Sequence, residues 1–499
     1  MENNINFVEY SPDQIHANVM VTELLLKVGV DLKEKKLLKE TFEKKNTLIS
    51  IIGRAGSGKT LLLSDLVKSV RDSGVSVISA DYSRAVDSES RSLSILAPTN
   101  KAASVLRNNG VPATTIHRIL YTPLYDPEFE KIAEWLVGTG KKPVIEGVSS
   151  TTLDKAYEFY LTNKSVPASL ASIGLKGSDF IKGWKRREDP LDIAFVDEAS
   201  MLDDQQLKDL SEIFSTLILF GDPAQLPPVV QSGEMIFDNL ADHQKIYLSR
   251  VHRQSEDSPI LDLAHALGEP NLTFKQFEDL IRDISTRDDR VVCSHRVNSD
   301  LMSRSPVLVW RNKTRVRLIQ AYRLAFGALL GELIPGEPLI CDGIELPIKH
   351  RKKRIDLEAR GLVKGAQVIY LGPGKKPGFS KLHVLGAEDP RVSAASIIKI
   401  ETTDAEEPFI PFAARMGASF LHGAAITIHK SQGSQWPTVQ VFAPDIFAAA
   451  SSGREEAGQP LWKRLAYVAI TRAQNKVIWV ERNRLERPSL QLGYEDLLS

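Results

Sequence analysis

Residues 47–60 read TLISIIGRAGSGKT. The first seven are largely apolar, rich in β-branched side chains and closed by glycine, the pattern of a short strand buried in a parallel sheet. Gly53 to Thr60 then fit the phosphate-loop pattern in full. Glycines let backbone N–H groups wrap a phosphate, and the helical stretch KTLLLSDLVKSVR aims its positive N-terminal end at the same place. Lys59 is placed to reach the β- and γ-phosphates, and the Thr60 hydroxyl to ligate Mg2+. A Gly-rich turn arising by chance has no need of a strand before it and a helix after it. Gly53, Arg54, Ala55, Gly56, Ser57, Gly58, Lys59 and Thr60 are therefore expected to bind a nucleotide.

Outward from this stretch, strand-like and helical patterns alternate: VSVISA, LSILAP, NKAASVLRN, LDIAFVD, DDQQLKDLSEIF and TLILFG. Alternation of this kind predicts a doubly wound α/β domain with a parallel sheet, spanning 46–250. Residues 1–45 read as an N-terminal helical region. Residues 121–190 interrupt the first domain with helical patterns (EFEKIAEWLVG, LDKAYEFYL) and a basic aromatic stretch, DFIKGWKRR. A second α/β domain is expected over 251–335 and 421–499, split by a β-rich insert at 336–420.

The chain has 499 residues, which at about 150 per domain suggests roughly three domains. Lys plus Arg and Asp plus Glu are both 63, so the net charge is zero. That excludes a uniformly basic coat, and any nucleic-acid track must come from local clustering. The start, MENNINFVEYSPDQ, lacks the basic and apolar regions of a secretory signal, and no run is long enough to span a membrane. Two cysteines, Cys293 and Cys341, make neither a disulfide framework nor a four-ligand zinc site. A soluble, cytoplasmic protein is expected.

Phe195-Val196-Asp197-Glu198 closes the next suitable apolar strand. By itself, an apolar strand followed by Asp-Glu is an ordinary acidic turn. Beside a phosphate loop, a carboxylate at the C-terminal end of a strand is where a second Mg2+ ligand belongs. Asp197 takes that role, and Glu198 is placed to orient and deprotonate a water. The chain is expected to bind and hydrolyse a nucleoside triphosphate.

The order GRAGSGKT, APTNKAAS, TTIHRIL, FVDEASML, LFGDPAQLPPV, LSRVHRQ, ITIHKSQGSQWPTV, YVAITRA resembles a superfamily-one helicase. DEASML, GDPAQLPPV and HKSQG are most similar to its B-type branch, RecD-like and phage Dda-like. The resemblance runs from Gly53 to Ala473. It implies two RecA-like P-loop domains, with a pin-type insertion in the first and a small β-rich (SH3-like) insertion in the second. Gln225, after strand TLILFG, is placed to contact the γ-phosphate and the attacking water; by resemblance it couples hydrolysis to DNA. Arg253 and Arg472 are similar in position to the family's arginine fingers. Gln435 departs from the family's usual glutamate near the nucleotide sugar, keeping hydrogen bonding but losing charge. Gln14 resembles an upstream glutamine that reads adenine, at an unusually long separation from Lys59.

Single-strand tracks combine phosphate contacts with stacking aromatics. Thr99, Asn100 and Lys101 follow LSILAP and open a helix, a ready phosphate site. Thr115 and His117, and His429, Lys430 and Ser431, match family positions that touch the strand. Arg311, Lys313, Arg315, Arg317 and Arg323, and the run Arg351 to Arg354, offer local positive charge, although both clusters are also what solvated faces carry. YTPLYD and DFIKGWKRRED are expected to pair as the strands of the pin, with Phe180 or Trp184 as wedge or as core.

These readings combine into an ATP-dependent DNA helicase, requiring ATP and Mg2+ and moving 5′→3′ on single-stranded DNA by resemblance. Its expected partners are single strands, single–double-strand junctions and unidentified replication or recombination proteins, with the chain a monomer and roles in DNA replication, repair or recombination. The rivals are an RNA helicase of the same superfamily, a P-loop switch acting on protein partners, and a nuclease subunit. No separate carboxylate cluster supports the last.

Overall fold

The computed structural model describes residues 10–38, 47–78, 91–125, 127–145, 148–163, 166–173, 181–188, 190–228, 235–249, 258–328, 332–345, 356–358, 360–375, 378–387, 389–399, 417–489 and 491–493. Helix α1 (Pro12–Lys27) starts at a capping box: Ser11 Oγ accepts from the Gln14 N–H, and Gln14 Oε1 accepts from the Ser11 N–H. The helical reading of 1–45 needs correction beyond this helix. Gly29 adopts φ +85°, and Asp31 Oδ1 accepts from the N–H groups of Lys33 and Glu34. This side-chain turn folds Val30–Asp31 (β1) onto Lys36–Leu37 (β2), giving a ribbon in place of helix.

Then come β3 (Thr47–Gly53), α2 (Lys59–Asp72), β4 (Ser76–Val77), β5 (Ser92–Ala97), α3 (Asn100–Asn108), β6 (Ala113–Thr115) and α4 (Ile116–Leu120). Next, β7 (Tyr121–Tyr125) and β8 (Ile181–Arg186) pair antiparallel from Tyr121↔Arg186, the hairpin expected of YTPLYD and DFIKGWKRRED. Between them lie α5 (Pro127–Val137), α6 (Ser150–Asn163) and α7 (Val166–Ser172). These helices bury a core of their own around Ile132, Leu136, Leu153 and Leu170. The first sheet resumes with β9 (Leu191–Val196), α8 (Asp204–Ile213), β10 (Phe214–Gly221) and β11 (Lys245–Leu248).

That sheet is parallel, in the order β11-β3-β10-β9-β5-β4, with β6 on β5. The strand carrying the phosphate loop is therefore an interior one, flanked by β11 at the sheet edge and by β10. Ile49, Ile51, Leu93, Ile95, Phe195 and Phe220 share one core with Leu62 and Leu66 of α2. Each such side chain contributes about 1.5–3 kcal/mol on burial. Ala17, Val21 and Leu25 of α1 join the same core, so α1 is part of this domain's packing.

Further along are α9 (Pro259–Ala266), α10 (Phe274–Ser285), β12 (Val291–Ser294), β13 (Val307–Val309) and α11 (Asn312–Ala325). Five strands then close a barrel: β14 (Pro338–Glu345), β15 (Gln367–Pro373), β16 (Phe379–Val384), β17 (Arg391–Lys399) and β18 (Gly417–His422). Its core holds Leu339, Cys341, Val368, Leu382 and Phe420. The chain finishes with β19 (Ala425–Thr427), α12 (Ile428–Ser431), β20 (Trp436–Phe442), α13 (Ala443–Ser451), β21 (Glu455–Glu456), β22 (Gln459–Pro460), α14 (Leu461–Ile470) and β23 (Ala473–Val480). β12, β23 and β20 pair parallel in that order, and β13 pairs parallel with β19.

The chain divides into two compact units. One is Met1–Leu120, Arg187–Ser294 and Ile428–Glu481; the other is Tyr121–Arg186, His295–Thr427 and Arg482–Ser499. The boundary expected at 250/251 is thus not where the packing separates: Ile428–Glu481 groups with the phosphate-loop sheet. Among the described residues, no helix is long and apolar enough to cross a membrane.

In the second unit, the basic stretch on α11 divides. Arg311, Lys313 and Arg317 are exposed, whereas Arg315 and Arg323 are buried, which removes those two from any solvent-facing track. Arg323 Nε lies 3.0 Å from Glu337 Oε2, and His422 Nε2 lies 2.8 Å from the same oxygen. His422 Nδ1 accepts from the Ala424 N–H, so Nε2 carries the proton and donates to Glu337. Burial pulls His422 below its ordinary pKa more than Glu337 raises it. Against the upward push of burial, His422, the Ile334 N–H and Arg323 hold the Glu337 carboxyl below its usual range. Removing Glu337 would take the carboxylate away from a buried guanidinium and leave it the Glu332 carbonyl, a weaker partner. Glu337→Ala should therefore lower unfolding stability by about 3–5 kcal/mol in a urea titration; a loss under about 1 kcal/mol would show that the pair is not held as described.

Candidate functional site

The C-terminal ends of β3, β9 and β10 converge, and the residues just beyond them form the site, as expected for a parallel α/β sheet. The phosphate loop leaves β3 at Gly53, where a Cβ would stand 2.3 Å from Ser57 Oγ. Gly58 caps α2 at φ +77°, a conformation that glycine adopts without steric cost. Lys59 Nζ donates to the loop's own carbonyls, 2.5 Å from Gly53 O and 3.0 Å from Arg54 O. Thr60, next along α2, is exposed.

Asp197 and Glu198 follow β9. Burial pushes the Asp197 carboxyl up to about 7, with the Glu198 charge adding to it and a backbone hydrogen bond and Lys59 opposing. Glu198 adopts φ +52°, ψ +38°, a left-handed conformation that costs a non-glycine residue on the order of 1–3 kcal/mol. Its carboxylate meets Gln225, whose Nε2 donates to Glu198 Oε2 at 2.8 Å. Gln225 Oε1 is buried with no hydrogen-bond partner among the described residues. Acid and amide thus stand side by side.

A cleft of about 360 Å³ joins these groups. Ala55, Gly56, Gly58, Lys59 and Thr60 line it with Asp197, Glu198, Asp222 and Gln225, and Gln435, Thr471 and Arg472 complete it. Arg472 is 5% exposed, and among the described residues its guanidinium makes long bonds, 3.2–3.4 Å, to Val468 O, Ser434 O and Thr471 Oγ1. Arg253 lies outside the described residues. Gln14 is fully buried beside the phosphate loop, with Nε2 3.4 Å from Ser57 O, but it is not part of the cleft wall.

Two residues went unread in the sequence. Tyr467 OH donates to Asp222 Oδ2 at 2.6 Å and accepts from the Ala55 N–H at 2.8 Å. Arg464 is 3% exposed and donates to Pro223 O and Gln225 O. Tyr467 stood inside YVAITRA, but its partners lie more than two hundred residues upstream, and no local pattern names them.

The expected nucleic-acid positions divide. Thr99 caps α3, its Oγ1 accepting from the Ala102 N–H, with Asn100 and Lys101 in the first turn. Gly433, in HKSQG, packs close beside it: a Cβ there would lie 3.1 Å from Thr99 Oγ1. Burial lowers the pKa of Lys101 and of His429. His117 and Lys430 are exposed, whereas Thr115 is buried. Ser431 is fully buried, and its hydroxyl donates to Ile428 O, so it faces the protein and not a strand. Phe180 and the run Arg351 to Arg354 lie outside the described residues. Trp184 sits on β8, but its side chain lies outside them too.

A family model described as an AAA domain matches residues 32–286, just over half of the chain. The chain belongs to the AAA domain family. A UvrD-like helicase C-terminal domain matches residues 422–480, the part that supplies Gln435 and Arg472 to the cleft. The two matches together place an AAA domain and a UvrD-like helicase C-terminal domain in one chain. An uncharacterized protein of Acanthamoeba polyphaga mimivirus is 23% identical over 221 residues, 44% of this chain and 36% of that protein. The chain thus spans little more than a third of that relative. Among solved structures, the Pif1 helicase from Candida albicans aligns with 99% of this chain and 100% of its own, at 16% identity and TM-score 0.46. The Bacteroides Pif1 helicase in complex with ADP-AlF3 and single-stranded DNA aligns with 98% and 96%, at 14% identity and TM-score 0.46.

For this AAA domain protein, Glu198→Gln keeps the size of the side chain and its contact with Gln225 but removes the ionisable carboxyl. Fluorescence titration should show nucleotide affinity within about threefold of the parent while turnover falls at least ~100-fold. Equal loss of both would make Glu198 a structural residue.

Proposed function

We propose that the chain is an ATP-driven motor that tracks along single-stranded DNA, 5′→3′, and separates duplex ahead of it. The observation that carries this reading is the composition of one cleft: phosphate loop, acid and sensing amide stand with an arginine from the UvrD-like segment. Glu198 takes the proton of the attacking water through its carboxylate, and Gln225 Oε1 holds that water in line. Lys59 leaves the carbonyls of Gly53 and Arg54 for the nucleotide's phosphates, and Arg472 neutralises charge developing on the γ-phosphate. The exposed Thr60 hydroxyl and the Asp197 carboxylate are hard oxygen donors that suit Mg2+, which would supply Lewis-acid neutralisation of the phosphates when bound. Gln14 braces the loop through Ser57 O.

Thr99, Asn100 and Lys101 at the start of α3, with His117, His429 and Lys430, serve as the strand track, and the Thr99–Gly433 approach favours it because two separate motifs meet there. The β7–β8 hairpin with its helical cap acts as the pin, and the five-stranded barrel as the SH3-like insert of a second RecA-like domain. Duplexes with only a 5′ or only a 3′ single-stranded tail test the direction: unwinding of the 5′-tailed substrate alone is expected, and unwinding of the 3′-tailed one alone would reverse it. Matched RNA should stimulate ATP turnover less than DNA.

The track has a second signature. Each phosphate neutralised on a single strand adds about 0.7 to the log–log salt slope of affinity. Lys101→Ala should reduce that slope by about 0.7 without altering base preference. A parent protein with a flat salt dependence would remove the track altogether.

A further inference from the structure

Helix α14 is buried along its whole length, yet it carries Arg464 at 3% exposure. A buried guanidinium is tolerated only when its N–H groups are satisfied. Here four backbone carbonyls accept from it: Glu456 O at 2.7 Å from Nε, Ala457 O at 2.9 Å from Nη2, and Pro223 O and Gln225 O at 2.9 and 2.5 Å from Nη1. One edge of the planar fork thus grips the β21–β22 turn, where Ala457 is held at φ +47°. The opposite nitrogen grips the backbone on both sides of Ala224, the turn that presents Gln225 to Glu198. One helical turn on, Tyr467 OH joins Asp222 Oδ2 to the Ala55 N–H of the phosphate loop. The segment Asp222–Gln225 is therefore fixed at both ends by one helix, and that helix runs directly into Thr471 and Arg472 in the cleft wall.

We propose that Arg464 and Tyr467 are positioning residues for ATP hydrolysis, a two-point latch that sets the water-holding amide of Gln225 and the phosphate loop against the arginine carried by the same helix. The inference rests on the reading of the cleft as an ATPase site. The latch explains why a charged side chain occupies a helix that apolar residues would fill. Carbonyls arrayed around a planar fork fix direction as well as distance, and a hydrophobic side chain of the same volume fixes neither. The interaction requires arginine in particular, because a lysine ammonium meets fewer of the four carbonyls and meets them from a single point.

The experiment compares the parent with Tyr467→Phe, Arg464→Met, Arg464→Lys and Arg464→Ala. It measures the KM and kcat of ATP turnover with a saturating oligothymidylate, affinity for a fluorescent ADP analogue, and melting temperature. Tyr467→Phe and Arg464→Met should bind the ADP analogue within about threefold of the parent while kcat falls about tenfold or more with KM little changed. Arg464→Lys should recover part of the loss, and millimolar guanidinium ion should raise the turnover of Arg464→Ala but not that of the parent. Folded variants with kcat within about twofold of the parent overturn the proposal. So does a loss of kcat that tracks a matching loss of ADP affinity and melting temperature, which marks a structural clamp. If Arg464→Met fails to fold, Tyr467→Phe decides alone, since it removes one oxygen and leaves the packing. A parent that does not hydrolyse ATP overturns the ATPase reading itself, whereas an active parent with unaffected variants overturns only the latch.

Discussion

A loop that is to hold phosphate must keep its backbone N–H groups available, and the left-handed Gly58 at the head of α2 is what permits this after β3. The same geometry brings the Lys59 ammonium back over the carbonyls of Gly53 and Arg54. Because β3 lies between β10 and β11, with β9 next beyond β10, whatever follows those strands stands within reach of the loop. Asp197, Glu198, Asp222 and Gln225 have their positions from this order of strands. None of them is placed by its own local sequence alone.

Two buried arginines show how differently a folded chain can neutralise one cation. Arg323 is met by a carboxylate, which is itself held ionised by a neutral histidine, and the three groups are tied to fixed elements of one unit. Arg464 is met by carbonyl dipoles from two separate turns. A carboxylate partner supplies strong pairing at one place. Carbonyls distributed over several segments give a weaker grip at each, but they register the segments against one another. The first arrangement suits an anchor, the second a site whose parts must keep a common alignment.

The chemistry-bearing stretches were legible because they are local. TLISIIGRAGSGKT declares strand, loop and helix within fourteen residues, and FVDE declares a strand end with its acids. The pairing of YTPLYD with DFIKGWKRRED was legible too, from the place where the interruption begins and ends. What escaped is set by contacts distant in the chain. Arg315 and Arg323 look like their exposed neighbours on α11, and only the burial of that helix face separates them. Ser431 reads as a hydroxyl for a strand until its bond to Ile428 O is seen. The ribbon at 30–37 was read as helix because DLKEKK has helix-forming residues, while Gly29 and the Asp31 side chain compete with the helix at its start.

The neck of the helical cap has a consequence for how such a chain can change. Arg187 N–H donates to Leu120 O at 2.7 Å, and the β7–β8 pairing continues from there, so the segment leaves and returns at one place. An inserted stretch whose ends already touch adds little to the entropy of closing the chain, however long it is, because closure cost grows only with the logarithm of length. With its own apolar core, the segment can be enlarged, trimmed or exchanged while Leu120 and Arg187 keep their places in the chain. The phosphate-loop strands and this inserted segment are therefore free to diverge at different rates.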